Sequence, residues 1–552
     1  MDWVVILIVV AVVFFIFICG YLNEKRARIN FVELLRCNYG ADNSRKYTAD
    51  ELKAVKGLHQ GITSEYELDE ITWNDLDMWS VYKKINYCHS SCGDEYLYHI
   101  LKTPYVSEHN YDDFENKVEG LAIDEKNRIQ LSLCLHDMGR SGKYSVSQYL
   151  NTIDNAVQSS NISDIILIVL YIPAVLLCFV NGLLGAGALL VIMIFALSSY
   201  FKKKKKIEQY IVCIEYIDRI ISNARKIDQI DNISIESEKS ELAKLLDPFK
   251  KFQRFSSILI GNYGSGPAGV ILDYIRMLTH IDLIKCNSMI KQVKENKDNI
   301  IKIVSVIGRL DVYLSVGEMR KNLGNYAIPN LSVQFSKLQL TDGYHPLLKN
   351  PVANSIETTK GIVLTGSNAS GKSTFLKMVA INAIFSQSLH TVCASKYEAP
   401  FYKIISSMNL KDSITSGESY YMAEIRAIQR ILNTQGNVLG FVDEVLRGTN
   451  TTERIAASSS ILKELSSQKK VVFAATHDME LSSLLSDEYD NYHFEEKIEN
   501  DDVYFTYILS KGKSTGRNAI RLLDKLGVDS HITDKAENMV KYYEEKGNWC
   551  LL

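Results

Sequence analysis

The sequence predicts a mainly α-helical body and a C-terminal α/β domain of the phosphate-loop type, with an N-terminal transmembrane helix and an internal transmembrane hairpin. Three observations carry this. Two apolar runs, residues 3–22 and 165–201, are long enough to meet a bilayer. Between and beyond them, apolar residues recur at helical spacing to about residue 327. From about residue 334, short β-rich runs alternate with helical ones around the stretch GSNASGKST. At 552 residues the chain exceeds one hydrophobic core. With 62 Lys and Arg against 65 Asp and Glu, no global field favours wholesale binding of nucleic acid, so any polyanion site must be local.

The first run, WVVILIVVAVVFFIFICGYL, carries no charge and follows Asp2 rather than a basic segment. Lys25, Arg26 and Arg28 follow it, as expected of an uncleaved anchor with its basic flank inside. Residues 25–163 then read as helical. In DEYLYHILKTPYV, residues 94–106, Leu97, Ile100 and Leu101 share one helix face before Pro104 stops it. Polar IDEKNR, residues 123–128, reads as a solvated loop.

The run from Ile165 to Phe201 would be about 55 Å long as one helix, far more than a bilayer needs. Two short crossings that reverse within NGLLGAG, residues 181–187, fit better, with Pro173 as a candidate kink in the first. A hairpin also returns Lys202 to Lys206 to the cytoplasmic side, where they are expected either as a plain stop-transfer flank or as a patch that attracts anionic headgroups. Beyond them Ile207, Ile211, Ile214, Ile217 and Ile221 form a packing stripe. The resulting segments are 1–24 (anchor), 25–163 and 202–333 (helical body), 164–201 (hairpin) and 334–552 (α/β domain). Ten cysteines without a repeating framework fit reduced thiols, and Cys88, His89 and Cys92 have no second pair at zinc spacing.

In the α/β domain, strands are expected at GIVLTG (361–366), NVLGFVDE (437–444), KVVFAATH (470–477) and VYFTYILS (503–510), with the charged stretch 495–502 as a loop. The motif G-x-x-x-x-G-K-[ST] spans Gly366, Ser367, Asn368, Ala369, Ser370, Gly371, Lys372, Ser373 and Thr374 between a strand and a helix, the context it requires. Such a loop cradles phosphates with backbone N–H groups, its lysine reaches the terminal phosphates, and Ser373 offers a hydroxyl to Mg²⁺. Asp443 and Glu444 end an apolar strand, so Asp443 is expected to hold Mg²⁺ and Glu444 to deprotonate the attacking water. His477 closes the next strand where it can sense the terminal phosphate.

These pieces, with DSITSGESYYMAEI (412–425) and DEVLRGTNTTE (443–453), resemble the ATPase domain of the MutS family of DNA mismatch-repair proteins. The resemblance implies an ABC-type ATPase using ATP and Mg²⁺, with composite sites in a homodimer closed by Ser419 of the other subunit. The signature departs from the family pattern, because Tyr420 and Tyr421 stand where it has Thr and Phe. The segment Tyr344 to Leu348, with His345, and Asn354 are similar to the part that lines the adenine side, and residues 512–528 to the segment that closes the domain. Residues 69–104 look like the start of the helical core, the lever domain.

Residues 25–68 are too few for the family's mismatch-reading and connector domains. Phe31, Val32 and Glu33 spell the F-x-E wedge, but in a helical pattern close to the bilayer. The hairpin interrupts the core where lever helices would run toward a DNA clamp. Two readings therefore stand open. One is an ATPase that acts on DNA in mismatch repair; the other is a membrane-tethered mechanochemical ATPase acting on the membrane or on a protein partner. Three short spans and the MutS-type motifs argue against a transporter subunit. Either reading expects a multi-pass protein of the cell membrane with its body and ATPase domain in the cytoplasm.

Overall fold

Helical periodicity dominates the first half of the chain, and the fold follows it. The computed structural model describes residues 2–156, 160–250, 267–367, 370–408, 420–446, 449–499, 502–513, 520, 528–547, 549 and 550. The chain divides into two compact units: Met1–Thr63, Ile85–His99 and Tyr111–Asn322 form the first, and Ser64–Lys84, Ile100–Asn110 and Leu323–Leu552 the second.

The first unit is built of helices. Helix α1 (Asp2–Cys37) covers the expected anchor and runs on beyond it, with Phe31 and Glu33 inside it. The polar stretch 123–128 is not a loop. Helices Asp112–Ile123 and Glu125–Met138 meet there, because Asp124 accepts the Asn127 N–H as an N-cap and lets a new helix start at once.

The second apolar run forms two helices, α2 (Ile162–Val180) and α3 (Gly182–Asp228). The reversal falls on Asn181 alone, whose extended backbone and side-chain bond to Leu184 N cap α3. The glycines expected to make the turn are helical. Gly185 serves close approach instead: a Cβ there would stand 2.4 Å from Cys178 N on α2. Pro173 sits inside α2 without ending it. Helix α3 continues unbroken through Lys202 to Lys206, and Ile214, Ile217 and Ile221 of its isoleucine stripe are buried. Both helices are long and apolar enough to cross a membrane, and only 17% and 11% of their apolar windows is buried. They are therefore not core helices of this unit. Further along the unit lie helices α4 (Pro267–Thr279), α5 (Ile281–Glu295) and α6 (Lys297–Leu323).

The second unit holds two sheets. Strands β1 (Asn330–Leu331), β2 (Leu338–Gly343), β3 (Asn354–Thr358) and β5 (Lys396–Ala399) form the smaller, in the order β1-β5-β2-β3. The larger runs β10-β9-β4-β8-β7-β6, from β4 (Gly361–Thr365), β6 (Lys403–Ser407), β7 (Val438–Asp443), β8 (Val471–Thr476), β9 (Tyr489–Glu499) and β10 (Asp502–Lys511). Its inner pairs are parallel, and only the β9–β10 edge is antiparallel. Residues 495–499 and 502 of the charged stretch expected as a loop are thus strand, since an edge pair needs no apolar face to be satisfied by backbone bonds. Helices α7 (Lys372–Ser388), α8 (Tyr420–Asn433), α9 (Thr451–Ser467) and α10 (Met479–Leu484) link the strands, and α11 (Ser530–Lys546) follows the sheet.

Within this unit, residues 64–84 cap strand β6. Asp75 accepts Ser406 Oγ at 2.7 Å and Met408 N at 2.9 Å, Thr72 Oγ1 accepts Ser406 N, and Arg430 pairs with Asp69.

Candidate nucleotide site

The order of the larger sheet sets β4, β8 and β7 side by side and parallel, so their C-terminal ends open on one edge, where α/β sheets bind ligands. The loop leaving β4 needs its glycines. Gly366 has φ +146° and Gly371 φ +101°, and a Cβ on Gly366 would meet Ser370 Oγ at 2.8 Å. The loop ends in α7, whose first N–H groups and positive pole suit an anion.

Lys372 opens α7 and is buried. Its ammonium folds back on the loop, donating to Gly366 O and Ser367 O at 2.7 Å each. Phosphate oxygens offer the same acceptor chemistry, so the lysine is held near where it would be used. Ser370 Oγ also donates to Ser367 O, at 2.8 Å. Ser373 Oγ donates to Asp443 Oδ2 at 2.5 Å, which sets a hydroxyl beside a carboxylate, the oxygen donor set of a hard cation such as Mg²⁺. Thr374 lies exposed on the first turn of α7.

After Asp443 the backbone turns sharply. Glu444 has φ +59°, a left-handed conformation that costs a non-glycine residue about 1 kcal/mol. Its N–H still donates to Ala475 O at 2.9 Å, so the ladder to β8 holds while the side chain swings toward His477. His477 Nε2 lies 2.9 Å from Glu444 Oε1 and 3.3 Å from Lys372 Nζ. One ring nitrogen cannot donate to a carboxylate and accept from an ammonium at once, and the shorter contact gives it the donor role.

Two further residues, Arg454 and Tyr507, shape the site without having been legible as site residues. Arg454 on α9 grips Asp478 with two bonds, at 2.8 and 2.6 Å, and so fixes the residue after His477; the Asp478 carboxylate raises the arginine's pKa. Its clue in the sequence is only its place four residues after Asn450, the N-cap of α9. Tyr507 sits at a bulge in β10 with φ +55°, its ring 3.1 Å from where a Cβ on Gly371 would lie. Asn354 holds that bulge, donating to Tyr507 O at 3.0 Å and accepting Leu509 N at 2.7 Å. Thus Asn354 acts on the loop's surroundings through β10. His345 is buried and accepts Leu347 N, and burial with Lys377 nearby lowers its pKa to about 4. Asn368, Ala369 and Ser419 lie outside the described residues, as do most of residues 512–528.

Residues 362–544 match the family described as MutS domain V. The chain is 30% identical over 262 residues to human MutS protein homolog 4, covering 44% of this chain and 28% of that protein. It is 30% identical over 295 residues to the DNA mismatch repair protein MutS of Leptospira interrogans, covering 50% and 34%. With the DNA mismatch repair protein MutS of Thermus thermophilus the identity is 26% over 241 residues, 43% and 29%. The matches therefore span about a third or less of these relatives' length.

Proposed function

Because the chain belongs to the MutS family through residues 362–544, we propose that it is a membrane-anchored ATPase that binds and hydrolyses ATP at composite sites of a homodimer. The observation that supports this is the meeting of Lys372, Ser373, Asp443, Glu444 and His477 at the ends of three adjacent parallel strands.

ATP would lie along the phosphate loop, with Mg²⁺ on Ser373 and Asp443. The metal, when bound, supplies charge neutralisation on the phosphate oxygens. Lys372 exchanges two loop carbonyls for phosphate oxygens and screens their charge. Glu444, oriented by the His477 N–H, takes the proton from the attacking water. His477 lies between Glu444 and Lys372 and so couples the base to the state of the phosphate end. Ser419 of a second copy closes the site in this reading.

Two observations bear on what the cycle drives. The relatives named for DNA mismatch repair support action on DNA. The exposed apolar hairpin supports delivery of the stroke to the membrane or to a protein partner. Equilibrium binding of the detergent-solubilised chain to matched and mismatched duplexes, across a salt series with and without ATP, separates them. A steep salt dependence with preference for mismatches upholds a repair role, and its absence leaves the membrane reading. Magnesium-dependent ATP hydrolysis that survives Lys372→Ala unchanged would contradict the site itself.

A further inference from the structure

Near the C-terminal end of α1, described residues of the first unit line a partly open cavity of about 240 Å³. Phe31, Leu34 and Leu35 of α1 form one wall, and Ile129 of helix Glu125–Met138 lies on another. Arg128 also lines it and is only 9% exposed. Its Nη1 donates to Ala122 O at 2.6 Å and its guanidinium lies 3.9 Å above the Tyr39 ring. No carboxylate stands within ion-pair distance of it among the described residues. A buried cation in that condition is costly, and an anion entering the cavity would offset the cost.

The other titratable groups around the cavity do not supply that anion. Glu318 on α6 is the nearest carboxyl in kind, but burial raises its pKa to about 7 against the pull of Arg128 and a bond from Gly40 N–H, with Asp311 raising it further. His89 is pushed down to about 4 by burial, with Arg140 and His136 adding to the fall and Asp94 opposing it. His136, which packs against Phe31 at 4.1 Å, is lowered by burial and by Arg140 against Asp137. Around neutral pH the His89 imidazole is therefore neutral, and Arg128 is the cation that lines the cavity.

We propose that this cavity binds a small amphipathic monocarboxylate, with its carboxylate on the Arg128 guanidinium and its apolar body against Phe31, Leu34, Leu35 and Ile129. The volume corresponds to roughly eight water-sized groups, enough for a short chain or one ring with a linker and below the size of a typical drug pocket. A bare phosphate would leave the apolar wall uncovered, and its second charge would lie beside Glu318. A neutral amphiphile would leave Arg128 uncompensated. The acid can come from the bilayer, as a fatty acid whose carboxyl end alone enters the partly open cavity, or from solution. The proposal does not depend on the ATP site.

The test uses the full chain in nanodiscs made without free fatty acid, titrated calorimetrically with 4-phenylbutyrate, and with 4-phenylbutanol and 4-phenylbutylamine as neutral and cationic probes. Saturable 1:1 binding of the acid is expected, with the alcohol and the amine at least tenfold weaker. Arg128→Gln should weaken the acid at least tenfold, and Ser132→Leu, which fills the cavity and leaves Arg128 in place, should do the same. Because a bound anion favours protonated Glu318, binding should tighten severalfold as pH falls from 8 to 6, and Glu318→Gln should flatten that profile. Equal binding of acid and alcohol, or no saturable binding of the acid, would overturn the proposal, as would unchanged affinity in both Arg128→Gln and a folded Ser132→Leu. A stoichiometric long-chain acid in solvent extracts of the purified chain would identify the bilayer as the source; probe binding without one would identify a soluble acid.

Discussion

Nε2 of His477 is claimed from two sides, by a carboxylate and by an ammonium, and that conflict is what makes the residue informative. Resolving it needs His477 held still, which Arg454 does through Asp478. Arg454→Ala should therefore lower the kcat for ATP about tenfold with little change in KM, read by steady-state hydrolysis, because it loosens the base without touching phosphate. A second residue-scale prediction concerns Glu95 in the first unit, whose pKa burial raises to about 8, so it is protonated in the fold. The unfolded chain releases that proton above about pH 4.5, so stability present at low pH is lost as pH rises toward 8. The loss should be about 3 kcal/mol between pH 5 and pH 7.5, and Glu95→Gln should remove it, as read by denaturant midpoints at the two pH values. Motif residues such as Lys372, Ser373 and Asp443 were legible because their chemistry fixes their spacing along the chain. Arg454 and Tyr507 were not, because their roles arise from neighbours brought in by the sheet.

The hairpin of α2 and α3 is latched at the end that carries Asp164 and Lys203. Asp164 on α2 accepts Lys203 Nζ from α3 at 2.6 Å and lies 2.6 Å from Nδ1 of His280, whose Nε2 lies 2.9 Å from Ala196 O on α3. His280 takes φ +55° between α4 and α5 to reach them. Asp164→Ala would leave Lys203 and one ring nitrogen without that acceptor, and should destabilise this end by about 3 kcal/mol. Faster amide exchange confined to residues 162–166 and 280–286 would check it. Gly185→Leu should part the two helices, and its effect should be confined to the hairpin, leaving ATP hydrolysis in detergent unchanged. The hairpin was readable from length and composition alone. Its turn was not, because glycine permits both a reversal and a close helix crossing, and only the packing partner Cys178 decides between them. The stretches 123–128 and 495–499 were misread as loops for a related reason: charge marks solvent exposure, and exposed helix starts and edge strands are charged too.

At the scale of the whole molecule, one compact unit carries the apolar hairpin and the other the candidate nucleotide site. Under the proposed function, ATP is spent at a membrane and a second copy completes the site. Turnover per chain should accordingly rise with protein concentration until dimers saturate, and Ser419→Ala should lower that plateau about a hundredfold, consistent with loss of a donor aimed at developing charge. Hydrolysis independent of concentration would argue for a self-sufficient site. The α/β fold was legible because a phosphate loop demands a strand before it and a helix after it, whereas the capping of β6 by residues 64–84 rests on Asp75 and Thr72, whose partners lie far along the chain. The most direct single measurement is steady-state ATP hydrolysis, with parallel nucleotide binding, by the full chain and its Glu444→Gln variant in nanodiscs. The account predicts magnesium-dependent turnover by the parent and a fall of at least a hundredfold in the variant, with ATP still bound. Turnover by Glu444→Gln at the parent rate would contradict it.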